Sequence, residues 1–168
     1  MKKTLSLLCT ACLAVGVQAQ TLMLNDFESG ANGAKLEWGG TAEVVANPCP
    51  TDDNSSANVF KVESTEFANV STPLNLPEGK TLADYTGARL QWAVLEPSAL
   101  QWVGVELGFV DTDTQDKMFQ VATASVGVGA YNTWMKTDFT FNTDSVAKWM
   151  EAGHANSALL IKVAYGQY

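Results

Sequence analysis

Apolar and polar residues alternate in short runs along most of this chain, with turn-forming residues between the runs. The runs cover residues 21–27, 41–46, 57–63, 70–76, 88–95, 101–110, 117–124, 133–141 and 158–165. A period of two places successive side chains on opposite faces of a strand. The separators are rich in Gly, Pro, Asn, Asp and Ser: Ser29-Gly-Ala-Asn-Gly33, the stretch from Asn47 to Ser56, Pro77-Glu-Gly-Lys80 and Asp111-Thr-Asp-Thr-Gln-Asp116. Short strands with breaks of this kind predict an all-β fold, an antiparallel sandwich or barrel. Two short helices interrupt it. One is a capped turn at Thr81-Leu-Ala-Asp-Tyr85; the other spans 143–152, with Val146, Trp149 and Met150 on one face and Gly153 as its stop.

The first nineteen residues have a different pattern. Met1-Lys2-Lys3 is basic, Leu5 to Val17 is apolar, and Val17-Gln18-Ala19 puts small residues where a signal peptidase reads. Residues 1–19 are therefore expected to be a secretory leader, and residues 20–168 one exported domain, without repeats or linkers. The apolar stretch is shorter than the about 20 residues of a transmembrane helix. Cys12 after Thr10-Ala11 leaves lipidation as an alternative, but Cys9 stands where a leucine would be expected. The final run is still strand-like at Tyr168, so the expectation leans toward a sandwich that lacks its last strand.

Composition narrows the chemistry. The chain has 168 residues, 46% of them hydrophobic and 17% charged, with a formal charge of −8. Loss of Lys2 and Lys3 with the leader takes it two units further negative. So acidic a chain, with Arg89 its single arginine, is a poor partner for nucleic acid. Cys49 alone survives the leader, in Asn47-Pro-Cys-Pro50, and reads as an inert loop thiol. His154 is the sole histidine, in a loop. No nucleophile elbow, zinc pair or phosphate loop is present. Paired carboxylates remain an alternative, since eighteen acids are present and spatial pairs are invisible in sequence. The oxygen ligands of 111–116 lack the glycine and distal glutamate of a helical calcium loop.

The reverse faces of two central runs carry the sharpest signal. In 88–95, Leu90, Trp92 and Val94 face one way, and Arg89, Gln91, Ala93 and Leu95 the other. In 101–110, Val103, Val105, Leu107 and Phe109 oppose Trp102, Gly104, Glu106 and Gly108. A hairpin turning near Ser98 would set Gln91 opposite Glu106 and Ala93 opposite Gly104. That makes a trough with an aromatic floor and amide and carboxylate walls, which Gln120 would extend. Such a trough suits a neutral sugar, whose C–H faces stack on aromatic rings and whose hydroxyls pair with amides and carboxylates. The competing reading has Trp102 half-buried under a loop and Glu106 as a surface charge. Trp92, Trp134 and Trp149 are expected in the core; Trp38 and Tyr131 fall in loops, as ligand contacts or lids.

Several segments resemble a known family. Asn25-Asp-Phe-Glu-Ser-Gly30, Ala42-Glu-Val-Val-Ala-Asn-Pro48 and Asn58-Val-Phe-Lys-Val-Glu63 look like the opening of jelly-roll carbohydrate-binding modules. Leu76-Pro-Glu-Gly-Lys-Thr-Leu-Ala-Asp-Tyr-Thr86 resembles a stretch of the modules attached to xylan-degrading glycoside hydrolases of gut bacteria, and Thr133-Trp-Met-Lys136 is similar to their late tryptophan strand. The resemblance implies a two-sheet jelly roll that binds a polysaccharide such as xylan, often beside a catalytic domain. It also implies a structural calcium, with Glu28 as one ligand; the other ligand, an aspartate in a further final strand, has no counterpart after Tyr165-Gly-Gln-Tyr168. The first expectation is thus a secreted, non-catalytic polysaccharide binder using Trp102, Glu106, Gln91, Gln120, Tyr131 and Trp38. The alternatives are the front part of a glycoside hydrolase and a cell-surface adhesion sandwich with a flat, aromatic-poor face.

Overall fold

A computed structural model describes residues 4–5, 10–14, 22–64, 66–95, 102–128, 130–154 and 156–165, with backbone alone for the first two stretches and for Tyr165. The expected cleavage point at Ala19 and the Ser98 turn lie outside these residues. The strands are β1 (Thr4–Leu5), β2 (Thr10–Ala14), β3 (Leu22–Asn25), β4 (Lys35–Trp38), β5 (Thr41–Ala46), β6 (Asn58–Glu63) and β7 (Phe67–Pro73). After them come β8 (Gly87–Trp92), β9 (Trp102–Asp111), β10 (Lys117–Gly127), β11 (Met135–Thr140) and β12 (Ser157–Tyr165), with one helix, α1 (Thr143–Glu151), before the last.

The architecture is an all-β antiparallel sandwich. One sheet has five strands in the order β10-β9-β12-β7-β4, and the second has four in the order β11-β8-β2-β3. A three-stranded group β1-β6-β5 adds Phe60 and Val62 to the shared core. From β7 onward the chain crosses repeatedly between the two larger sheets, as jelly-roll connectivity does. The core holds the faces that alternation assigned to it: Leu90, Trp92 and Val94 from one sheet, Val103, Val105, Leu107 and Phe109 from the other. Each such side chain contributes about 1.5–3 kcal/mol by leaving water. Trp92 also keeps its indole N–H satisfied, donating to Thr137 Oγ1 at 2.9 Å.

The two short helices form near their expected places. Leu82–Asp84 is a single 3-10 turn, and the Asp84 carboxylate reaches back to the Thr81 amide at 2.8 Å. The helix α1 is capped by Asn142, whose side chain accepts from Ser145 N. Val146 and Trp149 are buried as expected, but Met150 is exposed, because the helix packs on a narrower stripe than its apolar residues span.

Two expectations need correction. The hairpin joining 88–95 to 101–110 does not form: β8 pairs with β11 and β2, while β9 pairs with β10 and β12, so the two runs belong to different sheets. Trp38 is not in a loop but ends β4, a strand too short and polar for alternation to reveal. β12 is paired along its length on both sides, with β7 and with β9.

The stretch Thr10–Ala14 lies between β8 and β3, antiparallel to both. Cleavage after Ala19 would withdraw this strand and leave two backbone edges facing each other without ladder partners. A chain beginning at Gln20 is accordingly expected to melt at least about 4 °C below the full chain, measured by circular dichroism. Equal melting temperatures would show that β3 and β8 hold together without a strand between them.

Candidate functional site

The outer face of the five-stranded sheet is the face opposite the core, and its side chains fall into rows set by strand register. Gly104, Ala164 and Phe67 are Cα partners across β9, β12 and β7. The next row is Glu106, Lys162 and Asn69, and beyond it Gly108, Leu160 and Ser71.

The first row has aromatic groups at both ends and small residues between. The six-membered ring of Trp102 reaches over Gly104, where an added Cβ would meet its Cζ3 at 3.2 Å. At the other end Trp38 stacks on Phe67, with ring centroids 4.1 Å apart, and remains 55% exposed. The next two residues hold Trp38 there: Gly39 and Gly40 take positive φ, and a side chain on either would strike the backbone of Phe67 or Glu63. Between the aromatic ends the floor is Ala164. Two strand spacings separate β9 from β7, roughly 10 Å.

The second row is polar. Lys162 Nζ lies 3.7 Å from Glu106 Oε2 and 5.9 Å above the Phe119 ring. Asn69 Oδ1 is buried and has no hydrogen-bond partner among the described residues. An unmatched buried acceptor costs about 1–3 kcal/mol.

Glu37 on β4 bonds to Ser71 Oγ at 2.6 Å and to Lys35 Nζ at 3.1 Å. Burial raises its carboxyl pKa, but the Ser71 and Lys35 hydrogen bonds, with the charges of Lys35 and Lys117, outweigh that and hold it below the usual value. Lys117 sits on β10, the opposite edge strand of the sheet. Val110, Ala158 and Leu160 form a buried apolar patch in the floor beneath.

The expected site residues are thus partly gathered. Trp102, Glu106 and Trp38 share the outer face of the five-stranded sheet. Gln120 lies on β10, in the bulge between Met118 and Ala122 with φ of 58°, next to the exposed Phe119. Gln91 lies on β8 in the other sheet, where it donates to the Asp53 carbonyl while Lys136 Nζ holds the Asp53 carboxylate at 2.9 Å. Its work there is to pin the 47–56 loop. Tyr131 is half-buried against the main core, as a lid. Trp134 is buried beneath the same 47–56 loop and donates to the Cys49 carbonyl at 2.8 Å. Burial pushes the Cys49 thiol pKa up, as an inert thiol requires.

Glu28 acts as a clamp: its Oε1 accepts the Ala57 amide at 2.7 Å and its carbonyl accepts from Asn58 Nδ2. Among the described residues no three His, Cys, Asp or Glu side chains gather around one point. No helix among the described residues is long and apolar enough to cross a membrane.

Sequence reasoning missed Phe67, Asn69, Lys162 and Phe119. Phe67 and Asn69 precede the run assigned to β7, and the bulge in β10 shifts parity at Phe119. Lys162 interrupts the apolar run Leu159-Leu-Ile161, a signal that was there to be read. Comparison of the chain with models of known protein families, with curated proteins and with solved structures finds no match.

Because the folded state holds the Glu37 carboxyl below its ordinary value, this group adds stability above that value. The contribution fades as pH falls through the lowered folded pKa. Urea unfolding at a series of acidic pH values is expected to show a shallower loss for Glu37→Gln than for the parent protein. Parallel curves would mean that the Glu37 cluster carries no net stabilisation.

Proposed function

We propose that the outer face of the five-stranded sheet forms a concave platform that binds a chain of neutral sugar residues, and that the protein is an exported, non-catalytic polysaccharide binder. The observation that carries this reading is the first row: Trp102 over Gly104, an Ala164 floor, and the Trp38–Phe67 stack. A pyranose ring offers flat C–H faces to such rings, while its equatorial hydroxyls need donors and acceptors beside it. Glu106 and Lys162 supply these from the adjacent row, beside Asn69. The exposed Trp38 separates this reading from an adhesion surface, which would present a flat face poor in aromatic groups. The resemblance to modules of xylan-degrading enzymes makes xylan the first polymer to try.

Affinity electrophoresis of the exported protein in gels containing xylan, mixed β-glucan or mannan tests the proposal. Retardation by at least one polymer is expected, and unchanged mobility in all of them overturns it. Trp102→Ala and Trp38→Ala are each expected to weaken binding by about 1–2 kcal/mol, roughly tenfold, without changing the melting temperature appreciably. A collapse of the fold on replacing Trp102 would assign that ring to the core instead.

Gly104 supplies an independent check. Gly104→Val puts a Cβ 3.2 Å from Trp102 Cζ3 and adds two methyl groups beside it, so the branched side chain is expected to displace the indole from its present place. Retardation is expected to fall as far as for Trp102→Ala. Retention of full retardation would show that the position of this ring does not matter for binding.

A further inference from the structure

A cleft of about 730 Å³ lies away from the outer face of the five-stranded sheet, between the 73–76 segment, the 80–82 turn and the residues just after α1. Its volume falls within the about 300–1,000 Å³ of small-molecule sites. His154 lines it, with one face of the imidazole stacked on the Trp149 indole at 3.9 Å. The other constraint is Asp111, only 3% exposed at the end of β9, whose Oδ2 lies 3.2 Å from His154 Nδ1. The Asp111 carboxyl also accepts the amides of Thr114 and Asp113 on Oδ1, at 3.0 and 2.8 Å. Those bonds favour the ionised carboxylate against the effect of burial.

An ionised carboxylate can only accept, so the proton between the pair belongs to Nδ1. In the neutral ring Nε2 is then an acceptor, and it makes no hydrogen bond among the described residues. The Trp149 stack and the Asp111 bond leave the ring little freedom to turn. A carboxylate behind an imidazole is the usual device for fixing a tautomer whose second nitrogen meets a ligand or reacting group.

We propose that this cleft is a second binding site, for a small neutral polyhydroxy ligand such as a sugar unit, with His154 Nε2 accepting from one of its hydroxyls. The acceptor selects a ligand that brings O–H donors. A carboxylate brings none, and either a carboxylate or a phosphate would lie close to the Asp111 charge. Thr81 and Asn75 line the cleft and offer polar partners for further hydroxyls. The Lys80 ammonium is bonded to Asp84 at 3.2 Å and keeps further N–H donors at the rim. Leu76 and the exposed Met150 give the apolar surface that the C–H face of a ring covers. The site does not rest on the concave-face reading, since it shares none of its residues.

His154 is the only histidine, so its ring nitrogens are directly assignable by long-range nitrogen NMR of the native protein. At a pH where the imidazole is neutral, the spectrum is expected to show the proton on Nδ1. Titration with xylotriose, cellotriose and mannotriose in turn is expected to move the Nε2 resonance saturably with at least one, with Kd of about 1 mM or tighter. The same movement is expected in the Trp102→Ala protein, and about tenfold weaker binding in Lys80→Ala. A proton on Nε2, an Nε2 resonance unmoved by all three sugars, or a movement abolished by Trp102→Ala overturns the proposal. Loss of polymer retardation with the Nε2 movement intact would overturn the concave-face reading alone.

Discussion

The strand β12 runs antiparallel between β7 and β9, and the whole outer face of the five-stranded sheet takes its order from that double pairing. Each residue of β12 that points away from the core has one fixed neighbour on either side, so Ala164 must lie between Gly104 and Phe67, and Lys162 between Glu106 and Asn69. A slip of one residue would carry every outward side chain into the core and Leu159, Ile161 and Val163 to the surface. Burying those three residues is therefore also what places Lys162 beside Glu106. The polar row is a consequence of the packing on the other side of the sheet.

Small residues on this face matter as much as large ones. Gly104 admits the Trp102 ring and Gly108 admits the backbone of β10, where a Cβ would come within 2.2 Å of the Met118 carbonyl. That approach accompanies the bulge that turns Phe119 to the surface near Lys162. At the far edge, the glycine pair after Trp38 holds the indole against Phe67. The aromatic groups at the two ends of the row are thus set by glycines on β9 and just after β4.

The opposite sheet shows what the same residue types do when nothing is left open. Gln91, Lys136 and Asp53 close the 47–56 loop over Val59, Ala93 and Trp134, and the bidentate pair of Arg89 and Asp138 ties β8 to β11. These groups are matched with one another. On the outer face of the five-stranded sheet, Asn69 Oδ1 lacks a partner among the described residues and Trp38 stays largely in water, and the cleft beside α1 keeps an imidazole oriented by a buried carboxylate.

Alternation in 88–95 and 101–110 was enough to tell core face from outer face, and it named Trp102, Gly104 and Glu106 as sharing one side of a strand. The helix beginning at Thr143, the turn at Thr81 and the core places of Trp92 and Trp149 were likewise readable, because they depend on neighbours within a few residues. Gln91 was legible as outward-facing but not as belonging to another sheet, and Trp38 was legible as aromatic but not as part of a strand. Which strands pair is decided by contacts between residues far apart in the chain, whose closure cost and packing gain leave no local periodicity. The chain by itself therefore determined an all-β sandwich with an aromatic and a carboxylate on one strand face. Only the tertiary structure brought Lys162, Asn69, Phe67 and Trp38 alongside them, because their places are set by the register of β12 between its two neighbours.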